Sequence, residues 1–184
     1  MSKPIHLFVS SSPDLVEERE MVGQVIAQIG LNIGWRIGHT PRLGAEAEER
    51  ALWVEECDIY AILLGQDFAA PMGEELFKAL SKQVKPLAYH KLRTPSPSTL
   101  NTLHHIPLRW KHFVTPAQFR TLFTRDLLKA LIDQAEKLEL NLADLAGMLR
   151  LLEPPPPLPV VTTAGDAGQG GVILGREASE REQP

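Results

Sequence analysis

The chain has 184 residues, 43% of them hydrophobic and 23% charged, which is room for one globular domain of ordinary size and a remainder. Its formal charge of −4 is spread unevenly: residues 153–184 hold five acids and two bases, while the other 152 residues hold 18 acids and 17 bases. A body this close to neutral excludes a broad basic field, so neither nucleic acid nor a membrane surface is expected as a partner.

Met1-Ser2-Lys3-Pro4 leads straight into strand-like sequence, with no apolar leader and no cleavage site. Ile5-His6-Leu7-Phe8-Val9 reads as a buried strand that ends in the polar loop Ser10–Asp14. From Leu15 to Gln28 the apolar residues recur at helical spacing. Asp14 is the expected N-cap, with Glu17 at capping-box distance, and Gly30 is the expected stop. Leu31–Ile37 forms a second strand, followed by a loop to Gly44 and a helix from Ala45 to Glu56. Cys57, the single cysteine, excludes an internal disulfide and a cysteine-only zinc site, and it fits a reducing, cytoplasmic setting. It is read as a packed thiol, not a nucleophile.

Ile59–Leu64 is apolar throughout, as a central parallel strand covered on both faces must be. The apolar run ends at Gly65, far short of the roughly 20 residues that span a bilayer. After the turn Gly65-Gln66-Asp67 come a helix over Glu74–Lys82, a strand over Lys85–His90, and a loop over Arg93–Thr102. A short strand at Trp110–Val114 precedes a helix from Pro116 to about Lys137, capped by Thr115, and further helical turns cover Leu142–Leu152. The alternation predicts an α/β, flavodoxin-like three-layer sandwich with a five-stranded parallel sheet in the order 2-1-3-4-5. In such sheets ligands bind beyond the carboxyl ends of the strands, at the switch point between strands 1 and 3. That rule selects the loops Ser10–Asp14, Gly38–Gly44 and Gly65–Glu75. The body is thus 1–152. Residues 153–184 begin with Pro154-Pro155-Pro156-Pro157 and are rich in glycine, so they read as a linker or disordered tail.

Three blocks carry a resemblance. They are Phe8-Val9-Ser10-Ser11 with Asp14-Leu15 and Glu18-Arg19; Cys57-Asp58 before an apolar strand ending in Gly65; and Glu75-Leu76-Phe77-Lys78-Ala79-Leu80 before Lys85-Pro86. Together they resemble the DUF4062 family of TIR-like domains over about residues 4–115. Gln66-Asp67-Phe68 departs from the family's aromatic-and-glycine pattern in that loop. The resemblance implies an N-terminal signalling or defence module that self-associates, placed ahead of a STAND-type NTPase. Val172-Ile173-Leu174-Gly175-Arg176-Glu177 is similar to the start of a NACHT or NB-ARC domain, so the chain reads as the front end of a longer protein.

Many TIR domains cleave the nicotinamide–ribose bond of NAD through an oxocarbenium-like state that a carboxylate can stabilise. NAD would then be a substrate, and no cofactor is called for. The resemblance places Glu75 in the catalytic register, four residues before the small Ala79, and does not place Glu74 there. The competing reading makes both residues ordinary first-turn acids, favoured by the helix dipole. Ser10, Ser11 and Ser12 offer hydroxyls and amides to a ribose or phosphate, or they simply cap the turn. Asp14, Gly65 and Asp67 line the same switch point, and Trp35 and Arg36 flank the loop after strand 2. His104, His105 and His112 lack acidic partners at ligand spacing, so no metal site is expected. Two alternatives stand beside the NAD hydrolase: the same fold as a non-catalytic interaction domain, and a nucleoside deoxyribosyltransferase-like N-glycosidase.

Overall fold

The computed structural model describes residues 4–30, 33–40 and 53–153. The elements are β1 (Ile5–Ser11), α1 (Val16–Ile29), β2 (Trp35–His39), β3 (Ile59–Leu64), α2 (Ala70–Ser81), β4 (Leu87–Lys91), α3 (Pro97–His105), β5 (Lys111–Phe113), α4 (Pro116–Asp133) and α5 (Leu142–Leu152). All five strands are parallel, in the order β2-β1-β3-β4-β5, which is the flavodoxin-like arrangement expected from the alternation. Every residue of β3 is buried, because helices cover both faces of the sheet.

The two faces carry separate cores. Ile5, Leu7 and Val9 of β1, Tyr89 of β4 and Phe113 of β5 pack with Val22, Val25, Phe119, Phe123 and Leu127 of α1 and α4. Phe8, Tyr60, Ile62 and Ala88 pack on the other face with Met72, Leu76 and Ala79 of α2. The period-two alternation along β1 therefore sends Ser10, in step with Phe8, toward α2. Gly38 in β2 cannot be larger, because a Cβ there would lie 2.8 Å from Trp53 and 2.9 Å from Phe8.

Several boundaries depart from the sequence reading. Asp14 does not cap α1: the helix starts after Leu15 and has no side-chain cap. The Asp14 carboxylate instead accepts from the Gln66 N–H across the sheet edge and pairs with Arg93 at 2.7 Å. Two charge-assisted partners outweigh one local amide. Gly30 does end α1, at φ +60°. β2 lies later than expected, at Trp35–His39. α2 begins at Ala70, not Glu74, because Pro71 near its start presets the helical φ. Glu74 and Glu75 thus lie beyond the first turn, and the helix dipole does not explain them. The expected loop 93–102 contains the start of α3, capped by the Ser96 hydroxyl on the Thr99 N–H with Pro97 at the first helical position. α4 has the full Thr115–Gln118 capping box and ends at Asp133, four residues early. Of the helix expected over Ala45–Glu56, Trp53–Glu56 falls within the described residues; Trp53–Glu55 is helical and Glu56 lies in the turn that follows. The proline-rich segment and the NTPase-like motif lie outside the described residues.

Candidate active site

The candidate site is built where β1, β2 and α2 meet at the carboxyl edge of the sheet. On α2 the buried side chains are Met72, Glu75, Leu76 and Ala79, a single helical stripe. Glu75 thus occupies a core position, while Glu74 is exposed. Only 3% of Glu75 is accessible. Its Oε2 accepts from the Ser10 hydroxyl at 2.6 Å and from the Thr40 hydroxyl at 2.7 Å. Thr40 is itself fixed by the sheet: its N–H donates to Val9 O, and its Oγ1 accepts from the Ser11 N–H. A carboxylate among apolar neighbours is costly unless it is hydrogen-bonded, and two strand-end hydroxyls supply such bonds here.

Tyr60 shares this face. Its ring stacks on Phe8 with centroids 6.1 Å apart, and its hydroxyl has no hydrogen-bond partner among the described residues. Burial pushes the Tyr60 phenol well above its ordinary range. The Ser10 side chain works against that shift, and the Glu75 charge adds to it. Cys57 lies in the same core, and burial, helped by Asp58, pushes its thiol up to about 12.

The three serines divide their work. Ser10 holds Glu75. Ser11 has a buried hydroxyl with no partner among the described residues, although its N–H is bonded to Thr40. Ser12 is a structural clamp: its hydroxyl accepts from the Gly65 N–H at 2.8 Å and donates to Asp67 O at 2.6 Å. Gly65 is required by close approach, since a Cβ would lie 2.4 Å from an Asp14 carboxylate oxygen. Asp67 is exposed and accepts from the Ser96 hydroxyl, tying the β3 loop to the start of α3. Asp14, Ser12, Gly65 and Asp67 therefore form the frame beside the carboxylate.

Trp35 and Arg36 are not brought to this cluster. They pair with Ile5 and His6 at the amino end of β2, four to five residues before Thr40, or about 13–17 Å along the strand. Arg36 lies over the Trp53 ring at 4.2 Å. The residue that the sequence reading passed over is Thr40. The available signal was its place, directly after β2 in a loop already singled out by topology. Among the described residues, no group of three or more His, Cys, Asp or Glu side chains is arranged to hold a metal ion. No helix among them is long and apolar enough to cross a membrane.

No family model matches the chain, and no curated protein matches it. Among solved structures, the Clostridium botulinum CMP N-glycosidase BcmB is similar, with 11% identity and a TM-score of 0.40 over 65% of this chain and 97% of that one. A likeness of this degree says nothing about the chemistry of the site.

Proposed function

We propose that the chain is a TIR-like module of the DUF4062 type that hydrolyses the nicotinamide–ribose bond of NAD when assembled into oligomers, in a defence or STAND-type signalling protein. The observation that carries the reading is the buried Glu75 carboxylate, held by Ser10 and Thr40 at the switch point between β1 and β3. In the proposed reaction the C1′–N bond breaks and its electron pair leaves with neutral nicotinamide. The ribosyl cation that develops is stabilised by the Glu75 charge, and its hydroxyls compete with Ser10 and Thr40 for the carboxylate oxygen. Water then adds at C1′ and releases a proton.

The test is to incubate the protein with NAD, both dilute and at concentrations where it self-associates, and to follow nicotinamide release. Release by the wild type and its loss in Glu75→Ala is the expected result. No release from assembled protein, or equal release by the variant, overturns the proposal. A parallel arm with pyrimidine and purine nucleosides and their monophosphates, read as free base, separates the related N-glycosidase reading.

A specific observation favours the non-catalytic alternative. Phe77 is 74% exposed and Leu80 44% exposed, one helical turn apart on the outer face of α2. Such an apolar pair fits a homotypic contact. If Phe77→Ser/Leu80→Ser abolishes self-association while neither wild type nor variant releases nicotinamide, the module acts by association alone.

A further inference from the structure

A groove of about 700 Å³ lies at the opposite, amino-terminal edge of the sheet, where β3, β4 and β5 begin and α4 ends. Its volume is in the range that holds small ligands. Its charge sets it apart from the rest of the body. The described residues hold 14 Lys and Arg against 16 Asp and Glu. Six of those bases line this one groove, with only three acids; elsewhere the balance is eight bases to 13 acids.

Pairing sharpens the contrast. Asp126 is taken by Lys111 and by the Tyr89 hydroxyl at 2.8 Å. Asp58 is taken by Lys137 at 3.3 Å and by the His6 N–H. Among the described residues, Lys82 reaches only Glu55, at 4.0 Å. Lys85, Arg109 and Lys129 remain with no acid in ion-pair reach among the described residues, facing the single unpaired acid Asp133. The helix dipole accounts for Lys82 at the end of α2, but not for Lys85 and Arg109, which lie on the connections before β4 and β5. Nor does it account for Lys129, which lies ahead of the last turn of α4. Between these cations, Val84, Pro86 and Ala88 supply an apolar wall.

We propose that this groove binds a small phosphorylated ligand of the nucleotide class, with its phosphates on Lys85, Arg109 and Lys129 and its apolar body against Val84, Pro86 and Ala88. Guanidinium and ammonium groups with no acid in ion-pair reach among the described residues suit an anion of two or three charges. A compact groove suits a small molecule better than an extended polymer.

Calorimetric titration of the full chain with ATP, inorganic pyrophosphate and adenosine tests this. ATP is expected to bind, pyrophosphate to bind more weakly, and adenosine to give no heat. Lys85→Glu/Arg109→Glu is expected to weaken ATP binding by at least about tenfold, the loss of one or more charge-assisted hydrogen bonds, with an unchanged circular dichroism spectrum. Lys85→Gln/Arg109→Gln, which leaves no reversed charge to strain the fold, should weaken it in the same direction. No heat with ATP or pyrophosphate at millimolar concentration overturns the proposal. So does binding that neither double variant alters, or affinity found only for single-stranded oligonucleotides and rising with their length.

Discussion

Ser11 and Ser12 are neighbours, and both are buried, at 3% and 0% exposure. Their replacement by alanine should have opposite consequences. Ser12→Ala removes one acceptor and one donor at once and strands the Gly65 N–H and the Asp67 carbonyl beside the sheet edge. Each of the two lost bonds is worth about 1 kcal/mol net, and a buried amide left without a partner costs about 1–3 kcal/mol more, so the loss should be about 3–5 kcal/mol. For a chain of this size each kcal/mol moves the melting temperature by about 2–4 °C, which puts the expected drop at about 6–20 °C. Ser11→Ala removes a hydroxyl that has no partner among the described residues and leaves the Ser11 N–H bond to Thr40 in place. It should fall within about 0.5 kcal/mol of wild type or be stabilising by up to about 1 kcal/mol. Urea unfolding of the two variants side by side, with a common m-value, measures both. If the two substitutions cost the same, the division of labour assigned to the serines is wrong.

Other outcomes follow from the same geometry. Glu18 is 1% exposed and paired with Lys91 at 2.5 Å, so Glu18→Ala should cost about 3–5 kcal/mol by leaving an uncompensated buried charge. Glu18→Met/Lys91→Met should recover most of that, and a double variant as unstable as the single one would contradict it. The Cys57 thiol, buried and pushed up to about 12, should resist iodoacetamide at pH 8 in the native state and react on unfolding; rapid native labelling would show that the thiol is open. Burial, and then the neighbouring His112, lowers the His90 pKa below its ordinary value. The unfolded chain therefore takes up this proton first, and stability is complete above about pH 6.5 and declines as pH falls toward the folded value. His90→Gln should flatten the fall in urea midpoint between pH 7.5 and 5.5, and an unchanged slope would remove His90 as its source. His39, also lowered, leaves a residual slope of the same sign.

The sheet order was legible because the strands are short apolar runs separated by helical spacing, and parallel connections leave few topologies. The resemblance separated Glu75 from Glu74 through the register with Ala79, but that Glu75 is a buried position of α2 is seen only in the structure. What escaped were contacts between residues distant in sequence. Asp14 has every local mark of an N-cap, yet its partners are Gln66 and Arg93, 52 and 79 residues away. Nothing in a helical window could rank those above the Glu17 capping box. Trp35 and Arg36 fall near the carboxyl end of a strand over Leu31–Ile37, but β2 starts four residues later, at Trp35, and in a strand such a shift carries a side chain from one edge of the sheet toward the other. α3 was missed although Ser96-Pro97 is a start signal, because Pro95 and Pro97 together outweighed it as loop markers.

The question that remains for the site is whether Glu75 is kept for its shape or for its charge. Toward Ser10 and Thr40 the side chain serves as an acceptor, and a glutamine supplies one in the same place. Burying a carboxylate there costs more than burying an amide, so the bonds to Ser10 and Thr40 by themselves give no reason for the charge. Glu75→Gln should therefore unfold within about 1 kcal/mol of wild type while nicotinamide release falls by two orders of magnitude or more, the scale on which loss of one electrostatic stabiliser is felt. A variant that keeps full release would show that the charge is dispensable. A variant that loses several kcal/mol of stability would show that the fold itself depends on the anion, and the catalytic argument from burial would fail.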